Sequence, residues 1–189
     1  MTDITKTPSV GIAIVGCGIV GGATATILTR DARILLARIG MDLRLDHIVD
    51  VDFTHAKELD LDDSLFTSDY DAVLADESVD IVIELVGGTT IAKDIIIRAL
   101  EAGKNVVTAN KALMAHNGAE LYAIARKNSA TIAFEASCAG GIPIIRALLD
   151  GLIANRIDAF YGILNGTCNY ILTAMTSDGQ DYDQALVEA

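Results

Sequence analysis

Cysteine is scarce in this 189-residue chain, limited to Cys17, Cys138 and Cys168. The three are odd in number, far apart and never in a Cys-x-x-Cys pair, which argues against a disulfide framework or a zinc site. A reducing, cytoplasmic compartment is the expectation. Positive charge is also short. Fourteen Lys and Arg stand against 26 Asp and Glu, for a formal net charge of −12. Such a chain repels nucleic acid and anionic membrane surfaces, so neither is an expected partner. The acidic runs at Glu58, Asp60, Asp62 and Asp63, and at Asp178, Asp181 and Asp183, read as solvated faces. Internal repeats and low-complexity segments are absent.

One stretch imitates a membrane segment. Residues 10–29 carry no charge, and Ile14-Val15-Gly16-Cys17 looks like a lipoprotein cleavage box. The stretch is broken by Gly11, Gly16, Gly18, Gly21 and Gly22 and by Thr24, Thr26 and Thr29. Before Cys17 the apolar run is only Val10 to Val15, and Asp3 lies upstream. Strand, turn and helix account for the same residues better than a span or a leader does.

What is plentiful is apolar residue, 51% of the chain, enough for a real core. Residues 1–9 are polar and read as frayed. Val10 to Val15 is a buried parallel strand ending at glycine. Helices over Ile19 to Thr29 and Asp31 to Ile39 follow, with Gly40 as C-cap. Leu45 to Val51 is a second strand. Asp69 to Asp76 is a short helix, Asp80 to Val86 a third strand, and Ile91 to Ala102 a helix capped by Thr89 or Thr90 and by Gly103. Asn105 to Thr108 is a fourth strand. Asn117 and Glu120 read as a capping box opening a helix that ends near Arg126 and Lys127. Thr131 to Glu135 is a fifth strand. The alternation predicts an α/β fold, a Rossmann-type doubly wound parallel sheet over residues 1–137. Residues 138–189 read as the start of a second, α+β domain. Pro143 opens a helix to about Ile153, Ile157 to Leu164 is a strand, and another helix follows Asn165-Gly166-Thr167.

Gly16-Cys17-Gly18-Ile19-Val20-Gly21 is G-x-G-x-x-G directly after a strand and opening a helix, the context that gives the motif meaning. Gly16 permits the tight turn, Gly18 lets a pyrophosphate approach, and Gly21 lets helix and strand pack. The N–H groups at the helix start attract phosphate. Asp50 and Asp52 fall at the end of the second strand, where an acid meets the adenine ribose. A carboxylate there repels a 2′-phosphate, which favours NAD over NADP. Lys111 falls just past a buried strand, facing a ligand at that edge. Two plainer readings stay open: the acids as solvated loop residues, and Lys111 as an ordinary surface lysine.

Five motifs then occur in order. They are the glycine loop, Glu84-Leu85-Val86-Gly87-Gly88-Thr89, Val107-Thr108-Ala109-Asn110-Lys111, residues 134–143 (Phe-Glu-Ala-Ser-Cys-Ala-Gly-Gly-Ile-Pro) and residues 162–172 (Gly-Ile-Leu-Asn-Gly-Thr-Cys-Asn-Tyr-Ile-Leu). Together, from Val10 to Met175, they closely resemble homoserine dehydrogenase. The resemblance implies reduction of aspartate 4-semialdehyde to homoserine with NAD(P)H, on the route to threonine, methionine and isoleucine. It implies that Lys111 lies between nicotinamide and substrate, that Thr89 lies near the cofactor, and that Gly166 and Thr167 touch cofactor or substrate. It implies a sodium ion on the backbone carbonyls of Glu135, Cys138, Gly140 and Ile142, a donor set that suits a hard cation. It implies a homodimer in the complete enzyme. Two departures stand out. Val51 takes the place where many relatives have a basic residue, which again favours NAD, and Cys168 replaces a common Thr.

The family's later segment, typically Asp-Pro…Asp-x-x-Gly-x-Asp…Lys, supplies substrate-binding acids and a proton-transferring Lys, and this sequence does not contain it. A non-catalytic NAD-binding or redox-sensing module is therefore the competing reading. Aspartate semialdehyde dehydrogenase is another, but it needs a histidine beside Cys138, and His47, His55 and His116 fall elsewhere. The expectation is that these 189 residues alone have no measurable homoserine dehydrogenase activity. Losing general acid–base help alone costs about 10²–10⁴-fold. Turnover of homoserine and NAD equal to that of a chain extended by the later segment would overturn this.

Overall fold

A computed structural model describes residues 7–54, 56–163 and 165–189; residues 1–6, His55 and Leu164 lie outside the described residues. The chain divides into two compact units, Met1–Ile145 and Arg146–Ala189. The first therefore extends past the expected boundary at 137. The turn after Ser137 is tied back to it by the Ile145 N–H, which donates to Glu135 Oε1 at 3.0 Å.

The first unit is built on six strands. They are β1 (Ser9–Val15), β2 (Asp42–Val49), β3 (Phe66–Thr67), β4 (Val79–Glu84), β5 (Asn105–Thr108) and β6 (Ile132–Ala133). All pair in parallel, in the order β3-β2-β1-β4-β5-β6. The helices are α1 (Ile19–Arg30), α2 (Ala32–Ile39), α3 (Tyr70–Ala75), α4 (Thr90–Glu101) and α5 (Lys111–Lys127). This is the Rossmann order, and the direction of winding reverses between β1 and β4.

Alternation along each strand divides the core between two faces. Ala13 and Val15 of β1 and Val82 of β4 pack with α4 and α5 through Ile95, Ile96, Leu100, Leu113 and Leu121. Ile12 and Ile14 face the other way, with Ala25 and Leu28 of α1 and Ile48 of β2. Each fully buried aliphatic side chain contributes about 1.5–3 kcal/mol, and both layers are needed to hold a sheet that has no polar face.

Several expected elements shift. β2 starts and stops earlier than 45–51, which leaves Asp50 and Val51 in the loop beyond it. β3 was not expected; two residues carry no periodicity. α5 begins at Lys111, not at Asn117. Asn110 is its cap, accepting from the Leu113 N–H at 3.1 Å, while Asn117 sits mid-helix and its amide donates to Glu120. Thr89 takes the cap position of α4 but makes no side-chain cap bond. Glu135 leaves the fifth strand for a 3₁₀ turn, Glu135–Ser137.

The expected helix from Pro143 is only α6 (Ile144–Arg146), at the division between the units, and a π turn at Ala147–Gly151 follows in the second unit. Residues 157–163 form no strand. A strand needs a ladder partner for its N–H and C=O groups, and none is present among the described residues of this unit. The helices α7 (Gly166–Ser177) and α8 (Tyr182–Glu188) are capped by Asn165 and Asp181. They share a small core of Ile171, Ala174 and Ala185. No helix among the described residues is long and apolar enough to cross a membrane.

His47 of β2 meets Asp76, the residue after α3: His47 Nε2 lies 2.8 Å from Asp76 Oδ2. An ionised carboxylate only accepts, so the ring nitrogen carries the proton. That bond, and then the Ser78 hydroxyl and N–H at 2.7 and 2.8 Å, hold the Asp76 carboxyl well below its ordinary value of 3.8. A lowered folded pKa stabilises fully above the unfolded value, and that stabilisation is lost as pH falls through the folded value. Stability should therefore fall as pH drops below about 4, and Asp76→Asn should flatten that acid limb while lowering the neutral plateau. Parallel denaturant titrations at pH 7 and pH 3 check this; an unchanged pH dependence in the variant would overturn it.

Candidate functional site

Four chain reversals meet at the carboxyl edge around β1 and β4. The first is the glycine loop. Gly16 has φ +98°, and a Cβ there would lie 2.7 Å from the Leu85 carbonyl. A Cβ on Gly21 would lie 1.8 Å from Gly16 O. Both positions require glycine for internal reasons. Gly18 differs. Its backbone (φ −72°, ψ −160°) is open to any residue, and a Cβ there would meet no atom within 4 Å. Nothing in the described protein crowds that position, so a side chain at Gly18 would project into open space at the start of α1.

Gly18 is the N-cap of α1 and no side chain caps that helix. The N–H groups of Ile19, Val20 and Gly21 lack intrahelical partners by geometry and point their partial positive charge outward. Ile19 and Val20 are 81% and 59% exposed.

The second reversal follows β2. Asp50 Oδ2 accepts from the Cys17 N–H at 2.5 Å, and Oδ1 accepts from the N–H groups of Val51 and Asp52 at 2.7 and 3.2 Å. The expected ribose acid is thus also the clamp on the glycine loop. Burial, and then the Asp50 charge, push the Cys17 thiol up, so the thiol of the apparent cleavage box is a buried, protonated core group. Asp52 Oδ1 accepts from the Thr54 N–H and hydroxyl. Val51 between the two acids is 95% exposed.

The third reversal runs from β4 to α4 and the fourth from β5 to α5. Gly87 and Gly88 have φ +80° and +69°, and Lys111 is the first residue of α5, exposed. A cleft of about 270 Å³ lies here, lined by Val20, Glu84, Leu85, Gly87, Ala109, Asn110 and Lys111. Lys111 and the glycine-loop helix therefore face one cavity across the point where the winding reverses. Thr89 is exposed at the start of α4. Gly166 and Thr167 occupy the first turn of α7, in the other unit. Glu135, Cys138, Gly140 and Ile142 lie in the turn after β6. Glu135 O and Ile142 O each accept a backbone N–H there, from Cys138 and Ile144. Among the described residues no three His, Cys, Asp or Glu side chains gather as metal ligands. The sequence reading did not single out the buried Glu84, which accepts from Thr108 24 residues on, or the cap Asn110, whose amide reaches Gly88 O 22 residues back.

Strand order, uncapped helix start, bare Gly18 and the cleft at the winding reversal define a dinucleotide-binding domain of the Rossmann class. A family model described as "Homoserine dehydrogenase, NAD binding domain" matches residues 16–135, and one described as "Homoserine dehydrogenase" matches residues 143–189. A homoserine dehydrogenase of Neisseria gonorrhoeae is 42% identical over 95% of this chain and 41% of its own length. One of Bacillus subtilis is 39% identical over 96% and 42%. The crystal structure of a homoserine dehydrogenase from Thiobacillus denitrificans superposes with TM-score 0.81 at 40% identity, covering 96% of this chain and 42% of that one. A hyperthermophilic archaeal homoserine dehydrogenase in complex with NADPH gives TM-score 0.73 at 29% identity, covering 96% and 60%. The chain belongs to the homoserine dehydrogenase family and spans about two fifths of the length of the curated relatives it matches. A free-standing redox-sensing module is not favoured.

Gly21 and Gly18 should separate by experiment. Gly21→Val forces a side chain into Gly16 and should cost on the order of 3 kcal/mol of stability. Gly18→Val should cost about 1 kcal/mol or less, as an exchange at a helix cap, yet abolish dinucleotide binding. Thermal melts beside NADH titration check both; retained binding by a folded Gly18→Val chain would remove the cradle from the site.

Proposed function

We propose that this chain supplies the cofactor-binding part of an oxidoreductase that reduces aspartate 4-semialdehyde to homoserine with NAD(P)H. The observation that carries the reading is the pairing of bare Gly18 and the uncapped α1 start with Lys111 across one cleft. The orphan N–H groups of Ile19, Val20 and Gly21 hold the pyrophosphate. Asp50 and Asp52 face the adenine ribose, and the Gly87 turn, Thr89 and Lys111 take the nicotinamide end. Bound there, the nicotinamide supplies the hydride. The Lys111 ammonium donates to the substrate oxygen and stabilises the charge that develops on it. The family resemblance adds Gly166 and Thr167, in the first turn of α7, as residues that touch cofactor or substrate.

NAD is the preferred cofactor, supported by two carboxylates with exposed Val51 between them. Sodium binds the carbonyls of Glu135, Cys138, Gly140 and Ile142. Ala139 (φ 44°) and Gly141 (φ 79°) curl that turn, and each carbonyl keeps a second lone pair for a hard cation. The complete enzyme is a cytoplasmic homodimer, and three free thiols fit that compartment.

Titration of the chain with NADH and NADPH tests the cofactor reading. NADH should bind tighter by roughly tenfold, about 1.4 kcal/mol, and tighter NADPH would overturn it. Lys111→Ala should leave the melting temperature unchanged, because the side chain is exposed, while lowering turnover in the full-length enzyme. A large fall in melting temperature with turnover unchanged would reverse the assignment.

A further inference from the structure

A carboxylate with no solvent exposure forms part of the cleft floor. Glu84 ends β4 and is 0% exposed. A buried carboxylate is costly unless donors saturate it. Glu84 Oε1 accepts from the N–H groups of Val86 and Gly87 at 2.9 and 3.4 Å. Oε2 accepts from the hydroxyl of Thr108, itself fully buried, at 2.7 Å. The Thr108 hydroxyl in turn accepts from the Asn110 N–H at 3.0 Å. The Asn110 amide donates to Gly88 O at 2.5 Å while its oxygen caps α5. The bonds close a ring that leaves the glycine turn at Gly87, passes beneath the cleft and returns to the same turn at Gly88. The ring fixes the spacing between that turn and the helix start that carries Lys111. A buried polar pair adds little net stability over an apolar pair of like volume; what it supplies is direction.

We propose that Glu84 and Thr108 are positioning residues that set the nicotinamide end of the site by locking the Gly87–Gly88 turn to the first turn of α5. This rests on the dinucleotide reading above. In that reading the adenosine and pyrophosphate lie on the other half of the site, against the glycine loop and Asp50. The ring therefore acts on one end of the ligand only.

The test uses the whole chain and two probes, NADH and ADP-ribose, which lacks the nicotinamide. Thr108→Val removes the hydroxyl at near-constant volume and leaves Glu84 Oε2 and the Asn110 N–H unpaired. It should weaken NADH by roughly tenfold, move bound nicotinamide fluorescence towards that of free NADH, and leave ADP-ribose affinity unaltered. Thr108→Ser, which keeps the hydroxyl, should restore NADH binding. Should Thr108→Val fail to fold, Asn110→Ser carries the test. Serine still caps α5 but is too short to reach Gly88 O, so the same NADH-selective loss is expected. Equal loss for both probes, or no loss for NADH, would overturn the positioning role. If the unaltered chain binds neither probe, the dinucleotide reading falls, and the proposal with it.

Discussion

The carboxyl edge depends on how tightly the chain turns between β1 and α1. Gly21 sits so close to Gly16 that a single methyl group would fall 1.8 Å from the Gly16 carbonyl. Gly16 itself presses on the Leu85 carbonyl beyond β4. That contact brings the start of α1 over the end of the sheet, beside the strand where the winding reverses. The backbone holds it from three sides: the Gly16 N–H donates to Val49 O, the Leu85 N–H donates to Val15 O, and Asp50 takes the Cys17 N–H. Widening the turn would move the α1 N–H groups away from the cleft and leave Lys111 facing empty solvent.

The same geometry explains how a chain with 26 acidic and 14 basic side chains can serve an anionic ligand. The attraction comes from oriented N–H groups at one helix start, not from net charge. Such dipoles act within a turn of the helix, so distant carboxylates screened by water do not cancel them. The charged groups closest to the site are either consumed by the backbone, as Asp50 and Glu84 are, or placed across the cleft, as Lys111 is.

Much of this was legible in the sequence because local rules and the global fold agreed. β5 was read to its last residue, since Asn105 to Thr108 is a short apolar run between a glycine turn and a polar one. The internal roles of Gly16 and Gly21 were legible because the motif lay between a strand and a helix. Residues 157–163 failed because an apolar pattern reports a face, not a partner, and no partner strand lies among the described residues of that unit. Asn110 was passed over for Asn117 because the capping-box pattern was matched without asking where β5 released the chain. Glu84 was quoted only as part of a motif. Its donors come from its own turn and from Thr108, and only the parallel pairing of β4 with β5 brings them together.

Asp50 shows why one residue's role divides between fold and ligand. A carboxylate offers about four acceptor directions, and three are occupied by Cys17, Val51 and Asp52 N–H groups. One direction is left for a ribose hydroxyl. Removing Asp50 would therefore loosen the glycine loop as well as the ribose contact, and lost affinity alone would not separate the two. On the proposed NAD reading, discrimination between dinucleotides needs no further bond: a 2′-phosphate approaching Asp50 would meet like charge at close range, where salt screens little. Val51, exposed and neutral, offers nothing to offset it. The clamp that shapes the loop is thus also the group that sets cofactor choice in the proposed function, and the two properties cannot be varied independently at this position.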